Sequence, residues 1–85
     1  MIAITELIKT IITEYIDKPA LLNISEETVI TEDDKSMLVI TIKTPYKSDI
    51  GKLIGKEGKN IEALRRIINT VATKRTQLVN LHIIS

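Results

Sequence analysis

Cysteine, phenylalanine and tryptophan are absent from this chain, and its only aromatic side chains are Tyr15 and Tyr46. Without cysteine there is neither a disulfide framework nor a thiolate metal site, and a reducing cytoplasm is the expected location. So few rings also exclude recognition by successive bases stacked on aromatic side chains. Histidine occurs once, as His82, with no acid or cysteine placed by the sequence to work with it. No set of nucleophile, base and orienting group can be assembled, so the chain reads as a non-enzyme. No cofactor, metal or small-molecule substrate is expected. Lys or Glu interrupts every long apolar stretch, and Met1-Ile2-Ala3 lacks the pattern of a signal peptide, so neither a membrane span nor secretion is expected.

Glycine is scarce as well, yet all three glycines, Gly51, Gly55 and Gly58, fall within one short stretch, Gly51-Lys52-Leu53-Ile54-Gly55-Lys56-Glu57-Gly58. Glycine has no Cβ, so a concentration of it in a basic turn serves close approach of the backbone to something else. Gly58 also opens a strongly periodic segment whose helical N-terminus would present free N–H groups and a favourable dipole to an anion. Lys52, Lys56 and Lys59 surround that point. A nucleic-acid phosphate is the simplest ligand for such a turn.

Net charge is only +1, but it is unevenly spread. Residues 1–42 carry three lysines against eight acids, whereas residues 43–75 carry nine bases against three acids. The positive field is therefore centred on the glycine turn. Glu57 is the exception within it. Beside phosphate a carboxylate is repulsive, whereas near a helix start it is favourable by up to about 1 kcal/mol, so Glu57 is expected to be exposed and to point away.

Apolar residues from Ile4 to Ile16 recur at helical spacing, and Asp17-Lys18-Pro19 ends that helix. Residues 22–31 alternate as a strand, Glu32 to Ser36 form a turn, and Met37 to Lys43 form a second strand, giving a hairpin. The acids at 32–34 read as a soluble hairpin turn rather than a metal site. Ser48 is the expected N-cap of a short helix reaching Ile54, with Asp49 in its first turn. A long helix should run from about Gly58 to Lys74, burying Ile61, Leu64, Ile67, Ile68, Val71 and Ala72. Arg65 and Arg66 are adjacent on it, so at most one faces any given groove. Leu78 to Ile84 is the last strand, parallel to the second because two helices intervene. The predicted fold is α+β, αββααβ, with a three-stranded mixed sheet packed against three helices in a single domain over residues 1–85.

This order, with Leu53-Ile54-Gly55-Lys56-Glu57-Gly58-Lys59-Asn60-Ile61 between the paired helices, resembles a type II KH domain, the core motif covering about residues 37–84. A stand-alone domain of this kind is similar to the bacterial KhpA (YlqC-like) RNA-binding family. The resemblance implies single-stranded RNA as ligand, with Gly55, Lys56, Glu57 and Gly58 clamping the sugar-phosphate backbone and Lys52 and Lys59 flanking it. Leu53, Ile54 and Ile61 match the apolar signature positions, and the motif does not decide which of them line the base groove and which the core. An aliphatic groove accords with the shortage of aromatic residues. The resemblance further implies a role as RNA chaperone or post-transcriptional regulator, and a homodimer or a heterodimer with a KhpB (Jag-like) protein.

Other phosphate-binding turns fail on spacing. A Walker A loop needs four residues between its glycines and a hydroxyl after the lysine, whereas three separate Gly51 from Gly55 and Glu57 follows Lys56. A dinucleotide fingerprint needs G-x-G-x-x-G after a strand. The competing function classes are a KH-like module that serves mainly to dimerise and a ribosome-associated factor. An intact basic turn favours RNA binding over a purely pairing role.

Overall fold

The computed structural model describes residues 2–84. Helix α1 spans Ile4–Ile12 and buries Ile4, Ile8 and Ile12, one residue per turn. It ends sooner than its periodicity does. The Thr13 hydroxyl donates to the Lys9 carbonyl at 2.9 Å, a local bond that competes with continued winding. Glu14 and Tyr15 then continue in tighter turns, donating to Ile11 and Ile12. Tyr15 and Ile16 thereby stay against the core although they lie outside the regular helix.

Strands β1 (Asn23–Ile30) and β2 (Ser36–Lys43) form the antiparallel hairpin, and β3 (Leu78–Ile84) lies parallel to β2. The sheet order is β1-β2-β3, so both β1 and β3 are edges. Between β2 and β3 come α2 (Lys47–Ile54) and α3 (Lys59–Lys74). The order αββααβ and the mixed sheet are those expected. Side chains alternate across the strands, so Ile40, Ile42 and Leu81 meet Ile8, Ile12, Leu53, Leu64 and Ile68 in one core. Asn80 and His82 fall on the opposite, open face of β3.

Two packing expectations change. Ile67 is 51% exposed rather than part of the buried stripe. Ile67 and Ile68 are neighbours about 100° apart on the helix, and Ile68 takes the core position, leaving Ile67 on the shoulder that faces α1. Val71, from the same expected stripe, is only partly buried.

The start of α2 also differs. Its N-cap is Tyr46, not Ser48, and no side chain caps it. Asp49 lies in the first turn, but its carboxylate turns inward. It is fully buried and accepts the backbone N–H groups of Asp17 and Lys18, each at 2.8 Å. One side chain thus ties the segment after α1 to the start of α2. The Lys18 ammonium rests 4.6 Å from the Tyr46 ring centre and closes the same corner.

Candidate nucleic-acid interface

At the end of α2 the Gly55 N–H still bonds to the Gly51 carbonyl, at 2.8 Å. The chain then reverses through a single 3₁₀ turn, Lys56–Gly58, closed by the Gly58 N–H on the Gly55 carbonyl at 3.1 Å. Gly55 has φ +78° and ψ 171°, a combination open essentially to glycine alone. It is also sterically committed. A Cβ at Gly55 would lie 2.6 Å from Asn60 Cγ and 2.8 Å from the Asn60 backbone nitrogen. At Gly58, with φ +73°, the space for a Cβ is empty, so only the backbone conformation calls for glycine there. Glu57 is likewise left-handed, at φ +58°.

Asn60 explains how this turn is held. Its Nδ2 donates to the Lys52 carbonyl at 2.8 Å, capping the last turn of α2 from the first turn of α3. Nothing in local capping rules points to a bond eight residues back, so Asn60 carries no role in the sequence reading.

Lys56 and Glu57 stand exposed at the tip, with Lys59 beside them. The Lys59 N–H is taken by the Lys56 carbonyl, but no side chain caps the N-terminus of α3, a helix of 16 residues, so the dipole and the N–H groups that follow face the same approach. Lys52 is directed elsewhere. Its ammonium pairs with the Asp17 carboxylate at 2.5 Å, and that hydrogen bond raises it above the ordinary lysine range. Among the apolar signature residues, Leu53 is fully buried and Ile61 only 9% exposed, so both belong to the core. Ile54 is partly buried and packs against that core from its edge.

The adjacent arginines part as helical geometry demands. Arg66 pairs with Glu62 on the solvent side, at 3.3 Å. Arg65 crosses to the open edge of β3, where its Nε and Nη2 donate to the Leu81 carbonyl at 3.3 and 3.0 Å. The arrangement can therefore hold an extended anionic chain: exposed lysines at a glycine turn, an uncapped helix end, and a cleft continuing between α3 and β3.

The model of the KhpA/KhpB KH-domain family matches residues 5–83. This chain belongs to that family. It is 36% identical to the RNA-binding protein KhpA of Chlamydia trachomatis over 78 residues, 92% of each chain. To the RNA-binding protein KhpA of Listeria monocytogenes it is 30% identical, over 93% of this chain and 96% of the relative. Among solved structures it is similar to Era, crystallised with MgGDPNP and nucleotides 1506–1542 of 16S ribosomal RNA. The TM-score is 0.64 at 16% identity, covering 94% of this chain but only 28% of that one, a likeness of fold alone. Among the described residues no helix is long and apolar enough to cross a membrane, and no group of three acidic or histidine side chains could hold a metal ion.

Proposed function

We propose that this protein binds single-stranded RNA through the Gly55–Gly58 turn, residues 1–85 acting as one KH unit, as a cytoplasmic RNA chaperone or post-transcriptional regulator. The observation that carries this reading is the turn itself: two glycines at positive φ bring bare backbone to the uncapped end of α3 beside exposed Lys56 and Lys59. Relatives named for RNA binding across nine-tenths of the chain support it. Gly55, Lys56, Gly58 and Lys59 make the backbone contacts, with Ile54 at the groove margin. Glu57 keeps its side chain in solvent. Lys52 contributes through its long-range field, since its ammonium is committed to Asp17.

Titration of a labelled single-stranded RNA at several salt concentrations tests this. With about three to four phosphates neutralised, log K should fall with log salt at a slope of roughly −2 to −3. The double variant Lys56→Asp, Glu57→Asp keeps both glycines and places aspartate, which tolerates the left-handed region, at position 57. It should bind at least tenfold more weakly, about 1.4 kcal/mol, with an unchanged circular dichroism spectrum. No binding at low salt by correctly folded protein would sink the proposal.

A pairing role, with another copy or with a KhpB (Jag-like) protein, is favoured by one further observation. An open groove of about 400 Å³ between α1 and α3 is lined by Ile11, Tyr15, Ala63, Leu64 and the exposed Ile67. Burial in its wall raises the Tyr15 phenol above its ordinary range. Covering this groove removes apolar surface from water. Sedimentation across a concentration series, alone and with the candidate partner, decides it: Ile67→Asp should shift the mass towards monomer, and a constant monomer mass for the unaltered chain would remove the idea.

A further inference from the structure

We propose that Arg65 selects the base held beside the turn, favouring bases with two neighbouring hydrogen-bond acceptors, guanine and cytosine, over adenine and uracil, an inference that rests on the RNA reading above. The cleft between α3 and β3 is small, about 70 Å³, enough for the edge of a base rather than a whole nucleotide. It is lined by Arg65, Ile68 and Asn69 from α3 and by Val79, Asn80 and Leu81 from β3.

The discriminating feature is how Arg65 is tethered. A guanidinium has two hydrogen-bonding forks, one made by Nε and Nη2 along its side and one made by Nη1 and Nη2 at its end. The side fork is used up, because both Nε and Nη2 donate to the single Leu81 carbonyl. That anchor fixes the plane of the group. The end fork, one hydrogen from each terminal nitrogen, is left to point away from β3. Anchoring also consumes the acceptor that this strand edge would otherwise offer. In a strand the N–H and C=O of one residue leave on the same side, so Leu81 adds a further donor at the open edge. The Asn69 amide presents both donor and acceptor and can turn either way, so it discriminates little, and the Asn80 side chain lies on the opposite face of β3.

A site of fixed donors rewards adjacent acceptors. Guanine presents O6 and N7 side by side, the pairing arginine makes most often with a base. Cytosine presents O2 and N3 in the same way and leaves its amino group outside the fork. In adenine every ring acceptor stands alone, next to an amino group or a C–H, and in uracil the two oxygens are separated by N3–H. Neither can fill both arms of the fork. A good bidentate pair discriminates by roughly fivefold to a hundredfold.

The experiment uses three labelled octamers that are uridine throughout except for a central pair: CC, GG or AA. The intact protein should bind the CC and GG octamers at least fivefold more tightly than the AA octamer. Arg65→Lys keeps the charge and removes the fork, so the three affinities should converge to within twofold, with AA itself nearly unchanged. Equal affinities in the intact protein would overturn the proposal. So would a preference that survives Arg65→Lys, or an equal loss on all three octamers, which would make Arg65 a phosphate contact. Arg65→Gln, checked for native circular dichroism, repeats the comparison without the charge, and a CC and GG preference persisting in it would overturn the assignment equally. Failure to bind any octamer at low salt would instead remove the RNA reading.

Discussion

Gly55→Ala is expected to cost about 3 kcal/mol or more of folding stability and to abolish tight ligand binding, although it adds one methyl group. Two independent penalties coincide. The backbone at Gly55 occupies a region that costs other residues on the order of 1–3 kcal/mol. The added Cβ also meets Asn60, including its backbone nitrogen, at distances no real Cβ adopts. A backbone atom cannot swing aside as a side-chain tip can, so relief requires the first turn of α3 to move. Overpacking of this kind adds roughly 1–3 kcal/mol. Moving α3 breaks the Asn60 bond to the Lys52 carbonyl and uncouples the two helices at the turn. Gly58→Ala is the control, since its Cβ would enter open space and only the left-handed backbone cost of about 1–2 kcal/mol remains. Urea denaturation of both variants checks the ranking. Equal destabilisation would show that contact with Asn60 is unimportant.

Asp49→Ala should destabilise by a similar amount, about 3 kcal/mol, at a position with no role in ligand contact. Two backbone N–H groups lose a charged acceptor at 2.8 Å, and hydrogen bonds to a charged group are worth about 1.5–3 kcal/mol each. The total stays below the sum because the 17–18 segment is at the surface and can admit water once released. For a chain of this size such a loss lowers the melting temperature by roughly 12–24 °C. Asp49→Asn retains one acceptor and should lose about half as much. RNA affinity measured well below the melting transition should change little in the asparagine variant. A melting temperature unmoved by the alanine substitution would mean that the buried carboxylate does not hold the corner together.

The fold was legible because its signals are periodic and local. Alternation in residues 22–31 and helical spacing in Ile61, Leu64, Ile68 and Ala72 each act over a few residues and do not depend on the remainder of the chain, whereas α1 ends at Ile12, ahead of the stop expected at Pro19. The glycine turn was legible for the same reason. Asp49 and Asn60 were not, because their partners lie far away: Asp17 and Lys18 across the α1–α2 corner, and Lys52 a helix earlier. A short polar residue in a first helical turn looks like a cap or a dipole partner, and the sequence holds no sign that it reaches across the fold. Lys52 shows the same limit. Its spacing puts it at the turn, while its charge is drawn to Asp17, whose position becomes fixed only when Asp49 holds the neighbouring backbone. The apolar signature was likewise ambiguous until packing sent Leu53 and Ile61 inward and left Ile54 at the margin.

The parallel pairing of β2 with β3 has a kinetic consequence. Ile40 meets Leu81 about forty positions further along the chain, so this ladder closes a long loop, whereas the β1–β2 hairpin closes a short one. Strand β3 is also the last part of the sheet to leave the ribosome. Until it docks, Arg65 has no Leu81 carbonyl to hold, and the cleft beside the turn does not exist. A nascent chain that has already made Gly55–Gly58 is therefore not yet a competent receptor. The converse applies to the finished protein. A ligand spanning both the turn and β3 binds only when the slowest contact is in place, and at a concentration a hundred times its dissociation constant it stabilises that closed state by about 2.7 kcal/mol. Occupancy of the groove should thus slow exchange of the amides in β3, far from the lysines that draw the ligand in.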